Sequence, residues 1–272
     1  MEVGRFVIAV AVVALAAVAL LWWGRVTRRW ATGPDGRVDR VHQQGAYQSV
    51  TLLAAGILAA ATANVTGWPG VWRLGDMGAS ASHVAWMGFG DTDGWDVVGP
   101  PLAVWPLVVT TVVVWLQVVR GASPAGSDSV PRLSMAVAWS LPFAAMNALT
   151  EEQVFRAVPV QVLVGHADPL AITVVCGGLF GVPHWFGTPG KVPGVLMAGF
   201  LGWVMAQSVL DTGGLGWAWV IHVAQDVPII AMQLVVASTD RREIGRSRSH
   251  PPRVKPYPTR GRAYVSSRHR GT

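Results

Sequence analysis

Thr150 to Arg156 reads "TEEQVFR", which puts two adjacent glutamates and an arginine inside a long apolar part of a chain that is poor in charge. The whole protein has four glutamates, Glu2, Glu151, Glu152 and Glu243, so half of them stand side by side here. Charge in an apolar medium is costly unless it is paired or put to use. Glu152 and Arg156 are four residues apart, which places them on one helix face with the acid on the favourable N-terminal side. Glu151 points about 100° away on the same helix and lacks that partner, which leaves it as the candidate general base. Thr150 reads as an N-cap, and Gln153 stands where a capping box wants Glu or Gln. The expectation is a first helix ending near Asn147 and a second starting at Thr150.

The surrounding composition decides the fold class. Of 272 residues, 51% are hydrophobic and 13% are charged, against about 25% charged in a soluble domain. A spanning helix needs about 20 apolar residues. The candidate spans are Phe6–Trp23, Val50–Val65, Pro101–Val119, an interrupted region Ser134–Gly165, Leu170–Trp185, Pro193–Leu210 and Leu215–Ala237. This is an all-α, polytopic membrane helix bundle of about seven crossings with one broken or short helix. Phe6–Trp23 is long and is followed by arginines, unlike a cleavable signal peptide. The region 133–165 would run about 48 Å as one straight helix against an apolar core of about 30 Å, so a break or re-entrant piece is expected in it. Gly194, Gly199 and Gly202 predict close helix packing for Pro193–Leu210. The single cysteine, Cys176, excludes an intrachain disulfide and reads as a small core residue.

Seven crossings put 18 of the 21 basic residues on one side, ten of them in the tail from Arg241 to Arg270. The other side carries Arg5 and Arg73 with several aspartates. The positive-inside rule then places the N-terminus outside and the tail in the cytoplasm. Residues 1–130 read as N-terminal membrane helices and loops, 131–238 as the core that carries the polar motifs, and 239–272 as a basic tail of disorder-prone composition. Anionic lipid head groups explain the tail's charge more simply than nucleic acid does, so no nucleic-acid partner is expected. The loop Asp91–Asp96 holds three aspartates but no calcium-loop pattern, and reads as a solvated outer loop.

Asn147, Glu151, Glu152, Arg156, His184, Gln207, His222, Gln225 and Asp226 all fall within apolar helices. Ionisable groups at such depth default to a functional reading. Asn147 and the glutamines read as polar glue between helices. His222 and Asp226 are four apart on one face, and Phe180 and His184 repeat the spacing one helix earlier. Three helices can therefore aim Glu151, His184 and the His222–Asp226 pair at one point.

In this order the motifs "EEQVFR", "FGVPH" and "HVAQD" fit Glu-Glu-x-x-x-Arg, Phe-x-x-x-His and His-x-x-x-Asn/Asp. Together, over about Thr150–Asp226, they resemble the CPBP family, the type II CAAX prenyl endopeptidases and bacteriocin-processing or immunity proteins also called the Abi family. The resemblance implies intramembrane endoproteolysis. Glu151 and His184 would activate the hydrolytic water, and Glu152 with Arg156 would hold the motif helix. His222 and position 226 would stabilise the tetrahedral oxyanion. Asp226 departs from the pattern, since many relatives carry Asn there and an ionised Asp cannot donate. Either Asp226 is protonated or it orients His222 by accepting its ring proton.

The substrate that the resemblance implies is a peptide or the C-terminal tail of a lipidated protein, and in a bacterial host a peptide or a small membrane protein fits better. No cofactor is called for. A zinc site of Glu151, His184 and His222 is the less favoured alternative, because HExxH spacing is absent. A non-catalytic membrane immunity or partner protein and a proton-coupled transporter are the competing functions.

Overall fold

The computed structural model describes residues 40–66, 73–121, 130–186 and 190–249. The expected first span, Phe6–Trp23, and the tail beyond Ser249 lie outside the described residues. Seven helices run through the described chain: α1 Arg40–Thr66, α2 Trp95–Gly121, α3 Val130–Glu152, α4 Val158–Leu163, α5 Pro169–Gly181, α6 Lys191–Thr212 and α7 Gly216–Ser249. Among the described residues the only β pairing is an isolated bridge between Ser80 and Gly94. Five helices are long and apolar enough to cross a membrane, over Val41–Asn64, Trp95–Val113, Pro169–Phe186, Lys191–Thr212 and Gly216–Val235. Each overlaps an expected span. The chain divides into two units, the first ending at Ala237 and the second running Ser238–Thr272. α7 continues to Ser249, so the start of the segment expected to be irregular is helical.

The break expected at Thr150 is not there. α3 passes through it without interruption to Glu152. The Thr150 hydroxyl donates to the carbonyl of Met146, one turn back, at 2.9 Å. A threonine inside a helix satisfies itself in this way, and the same hydroxyl is then unavailable for capping. The irregularity comes three residues later, as a π turn over Gln153–Ala157 in which the N–H of Val158 reaches the carbonyl of Gln153. Pro159 supplies a cause. It has no N–H to donate, and its ring crowds the carbonyl four residues back, so the preceding turn widens. The helical path from Val130 to Leu163 is not among the five apolar spans. Residues 150–161 are nevertheless buried throughout, apart from half-buried Glu151. α1 packs on α3, on the π turn and on α4.

α5 starts at Pro169 behind an Asp168 N-cap, whose Oδ1 accepts from the N–H of Ala171 at 2.9 Å. It crosses α6 almost backbone to backbone. A Cβ on Gly177 would lie 2.7 Å from the Gly199 carbonyl, and one on Gly181 would lie 2.7 Å from that of Val195. The glycine-rich helix is thus closely packed, as its sequence predicts. The segment 73–95 lies over the α6–α7 turn. Leu215 and Gly216 donate to the carbonyls of Arg73 and Leu74, and Trp217 Nε1 donates to that of Met77. Asp211 anchors it from α6, accepting from Trp95 Nε1 at 3.1 Å and lying 3.0 Å from His83 Nδ1.

Candidate functional site

The site begins with the ion pair. Arg156 Nη1 donates to Glu152 Oε1 at 3.0 Å, and both side chains are 0% exposed. The guanidinium lies over the Phe180 ring, 4.0 Å from its centroid, so a π face completes its surroundings. Glu152 has a second task. His222 Nδ1 donates to the same Oε1 at 2.6 Å. A carboxylate only accepts, so this bond fixes the hydrogen on Nδ1 and turns Nε2 away from the pair.

Nε2 of His222 looks onto two further carboxylates, with Glu151 Oε2 at 3.6 Å and Asp226 Oδ2 at 3.7 Å. Both separations exceed a direct hydrogen bond, and both are short enough for one water to bridge. The orienting role expected of Asp226 therefore belongs to Glu152. Asp226 shares a helix face with His222 but spends Oδ2 on Asn147 Nδ2, at 2.9 Å. The adjacent glutamates differ sharply in wetness: the Glu151 side chain is 26% exposed and that of Glu152 is 0% exposed. A base that must meet water belongs at the exposed position.

His184 sits on a 3₁₀ turn, Val182–Phe186, at the end of α5. Its Nδ1 donates to the Phe180 carbonyl at 2.8 Å, which leaves Nε2 as the lone-pair nitrogen. It joins the others through Phe180, whose ring centroid is 4.7 Å from that of His184 and 5.4 Å from that of His222. Three of the four expected catalytic residues thus come together, with the carboxylates of Glu151 and Asp226 within 3.7 Å of His222 Nε2, and His184 packs on Phe180, the ring that also contacts His222. Among the described residues, no three His, Cys, Asp or Glu side chains form a group able to hold a metal ion.

Residues 133–227 match the family model described as type II CAAX prenyl endopeptidase Rce1-like. The matched segment is about a third of the chain and contains all three motifs. No curated protein and no solved structure matches the chain. The resemblance carried by "EEQVFR", "FGVPH" and "HVAQD" is thereby shown at family level, and with the five apolar helices it makes this a multi-pass membrane protein.

Three contributors to the site were not named as site residues from the sequence. Asn147, read as glue, donates to both Glu151 and Asp226. Phe180, read only as a spacing partner, is the ring on which Arg156, His184 and His222 converge. Gln48 of α1 lies before the Rce1-like segment and bonds Asn147. For Asn147 the signal was its i, i+4 relation to Glu151.

Proposed function

We propose that this chain is an intramembrane endopeptidase that hydrolyses a peptide bond with a water activated by Glu151 and His184. The observation that carries this reading is the partly exposed Glu151 carboxylate facing His222 beside a fully buried Glu152–Arg156 pair. Glu151 takes the proton of the attacking water and passes it to the departing amine nitrogen, and the Nε2 lone pair of His184, across the Phe180 ring, is the second acceptor. His222, locked by Glu152 at Nδ1 and facing the carboxylates of Glu151 and Asp226 with Nε2, acts as an imidazolium whose Nε2–H donates where charge builds on the tetrahedral oxygen, the term usually worth most in acyl chemistry. Asp226 acts from beside it. The substrate is a peptide or a small membrane protein that enters from the bilayer, and the basic tail engages anionic lipid head groups.

Reconstituted into proteoliposomes with a library of apolar peptides, the wild-type protein is expected to generate new peptide termini, read by mass spectrometry. Proton flux across the vesicle without any cut peptide would support a transporter instead. A comparison of the membrane peptidome of a deletion strain with its parent identifies the natural substrate.

The same reading carries an orientation, with the N-terminus outside and the tail in the cytoplasm. It rests on 18 of 21 basic residues falling on one side. Cysteines introduced as Ser127→Cys and Ser247→Cys are expected to escape impermeant thiol reagents in intact cells, while Ser80→Cys reacts. Labelling of the Ser247→Cys variant from outside would overturn this orientation.

A further inference from the structure

One amide nitrogen holds two carboxylates in this site. Asn147 Nδ2 donates to Glu151 Oε1 at 3.0 Å and to Asp226 Oδ2 at 2.9 Å. An amide NH₂ has two hydrogens, and both are spent. The remaining atom, Oδ1, accepts from Gln48 Nε2 at 3.1 Å. Gln48 is 1% exposed, on α1, 99 residues earlier in the chain.

These bonds determine each other's direction. Two carboxylates offer only acceptors, so the nitrogen of Asn147 must face them. Its oxygen must then face α1, where an NH₂ is the only suitable end of Gln48. Both ambiguous amides are thus set by charge. Glu151 also becomes asymmetric. Oε1 is occupied by Asn147, whereas Oε2 faces His222 Nε2 at 3.6 Å.

We propose that Asn147 is a positioning residue that clamps Glu151 and Asp226 to one amide, and that Gln48, from outside the Rce1-like segment, fixes that amide. The clamp keeps two like charges at a set separation, and it selects Oε2 of Glu151 as the oxygen that meets water. α1 is thereby part of the functional site and more than a scaffold. This inference rests on Glu151 being the base, as in the proposed function.

The test is a double-mutant cycle of near-isosteric apolar variants, Gln48→Met, Asn147→Leu and both together, in the full chain in detergent. Two readouts apply. The first is cleavage of the peptides that the wild type cuts. Asn147→Leu is expected to lower kcat about 100-fold, because a catalytic group displaced by about 1 Å loses that much, with little change in KM. Gln48→Met is the mild variant and is expected to lose about five- to tenfold, the worth of one hydrogen bond. The double variant should be no slower than Asn147→Leu alone, since Gln48 acts only through Asn147.

The second readout needs no substrate. It is the rate at which an apolar carbodiimide modifies each carboxyl group, measured by peptide mapping. Glu151 should react several-fold faster in Asn147→Leu, because its Oε1 is released, and to a smaller extent faster in Gln48→Met, where the amide that holds it is loosened, while buried Glu152 stays unreactive and reports an intact fold. If the two single effects multiply, or if Glu151 reacts as in wild type in both variants, the clamp is overturned. If the wild type cuts no peptide but the carbodiimide pattern appears, the clamp stands and the peptidase reading falls.

Discussion

Glu151→Gln removes peptide cleavage and leaves the fold intact. The loss expected is at least about a hundredfold, the lower end of what a positioned general base contributes. Glutamine has the same length, and its amide oxygen still accepts from Asn147 Nδ2, so the contact that holds the side chain survives. What disappears is the proton acceptor facing His222 Nε2. Glu151 is also the more exposed of the two glutamates, so the change strands no buried charge. The unfolding temperature in detergent should therefore stay within about 3 °C of wild type. Peptide cleavage and thermal unfolding, measured on the same preparation, check both halves. Normal cleavage by Glu151→Gln would remove it as the base.

The parts of this site that were legible in the sequence are those written at helical spacing. Glu152 and Arg156 pair as their i, i+4 relation predicts, and His222 and Asp226 do share a face. Long-range partners have no such signature. The bond from His222 to Glu152 joins residues 70 apart, and that from Gln48 to Asn147 joins residues 99 apart. Hydrophobic length alone pointed to Val50–Val65, Pro101–Val119, Leu170–Trp185, Pro193–Leu210 and Leu215–Ala237, each overlapping a helix long and apolar enough to cross a membrane.

The motif helix was expected as an interrupted crossing over Ser134–Gly165, and what the sequence misplaced was its break. Its Thr150 looked like a cap, yet a hydroxyl that finds a carbonyl one turn back reads identically in sequence. The widened turn at Gln153–Ala157 follows from Pro159, and only a three-dimensional neighbourhood shows which way the chain absorbs a proline. Such π turns recur at functional sites, because they re-aim side chains within an otherwise regular helix.

Glu152→Gln separates the second glutamate from the first. Arg156 is 0% exposed, and among the described residues its charge is met by Glu152 and by the Phe180 ring face. Removing one partner of a buried pair typically costs about 3–5 kcal/mol, because the other charge stays behind in low dielectric. For a chain of this size that is a fall of roughly 10 °C in the detergent unfolding temperature. Cleavage should fall as well, for a different reason: the 2.6 Å bond that fixes the His222 ring loses its charged acceptor. The double variant Glu152→Gln with Arg156→Met takes away the orphaned cation and should regain a large part of the lost stability. It should not regain cleavage, because His222 still faces a neutral amide. Recovery of stability without recovery of rate is thus the signature of a glutamate with two tasks. If Glu152→Gln is as stable as wild type and inactive, while Glu151→Gln cleaves normally, the two adjacent glutamates have exchanged roles, and the water-facing position does not mark the base.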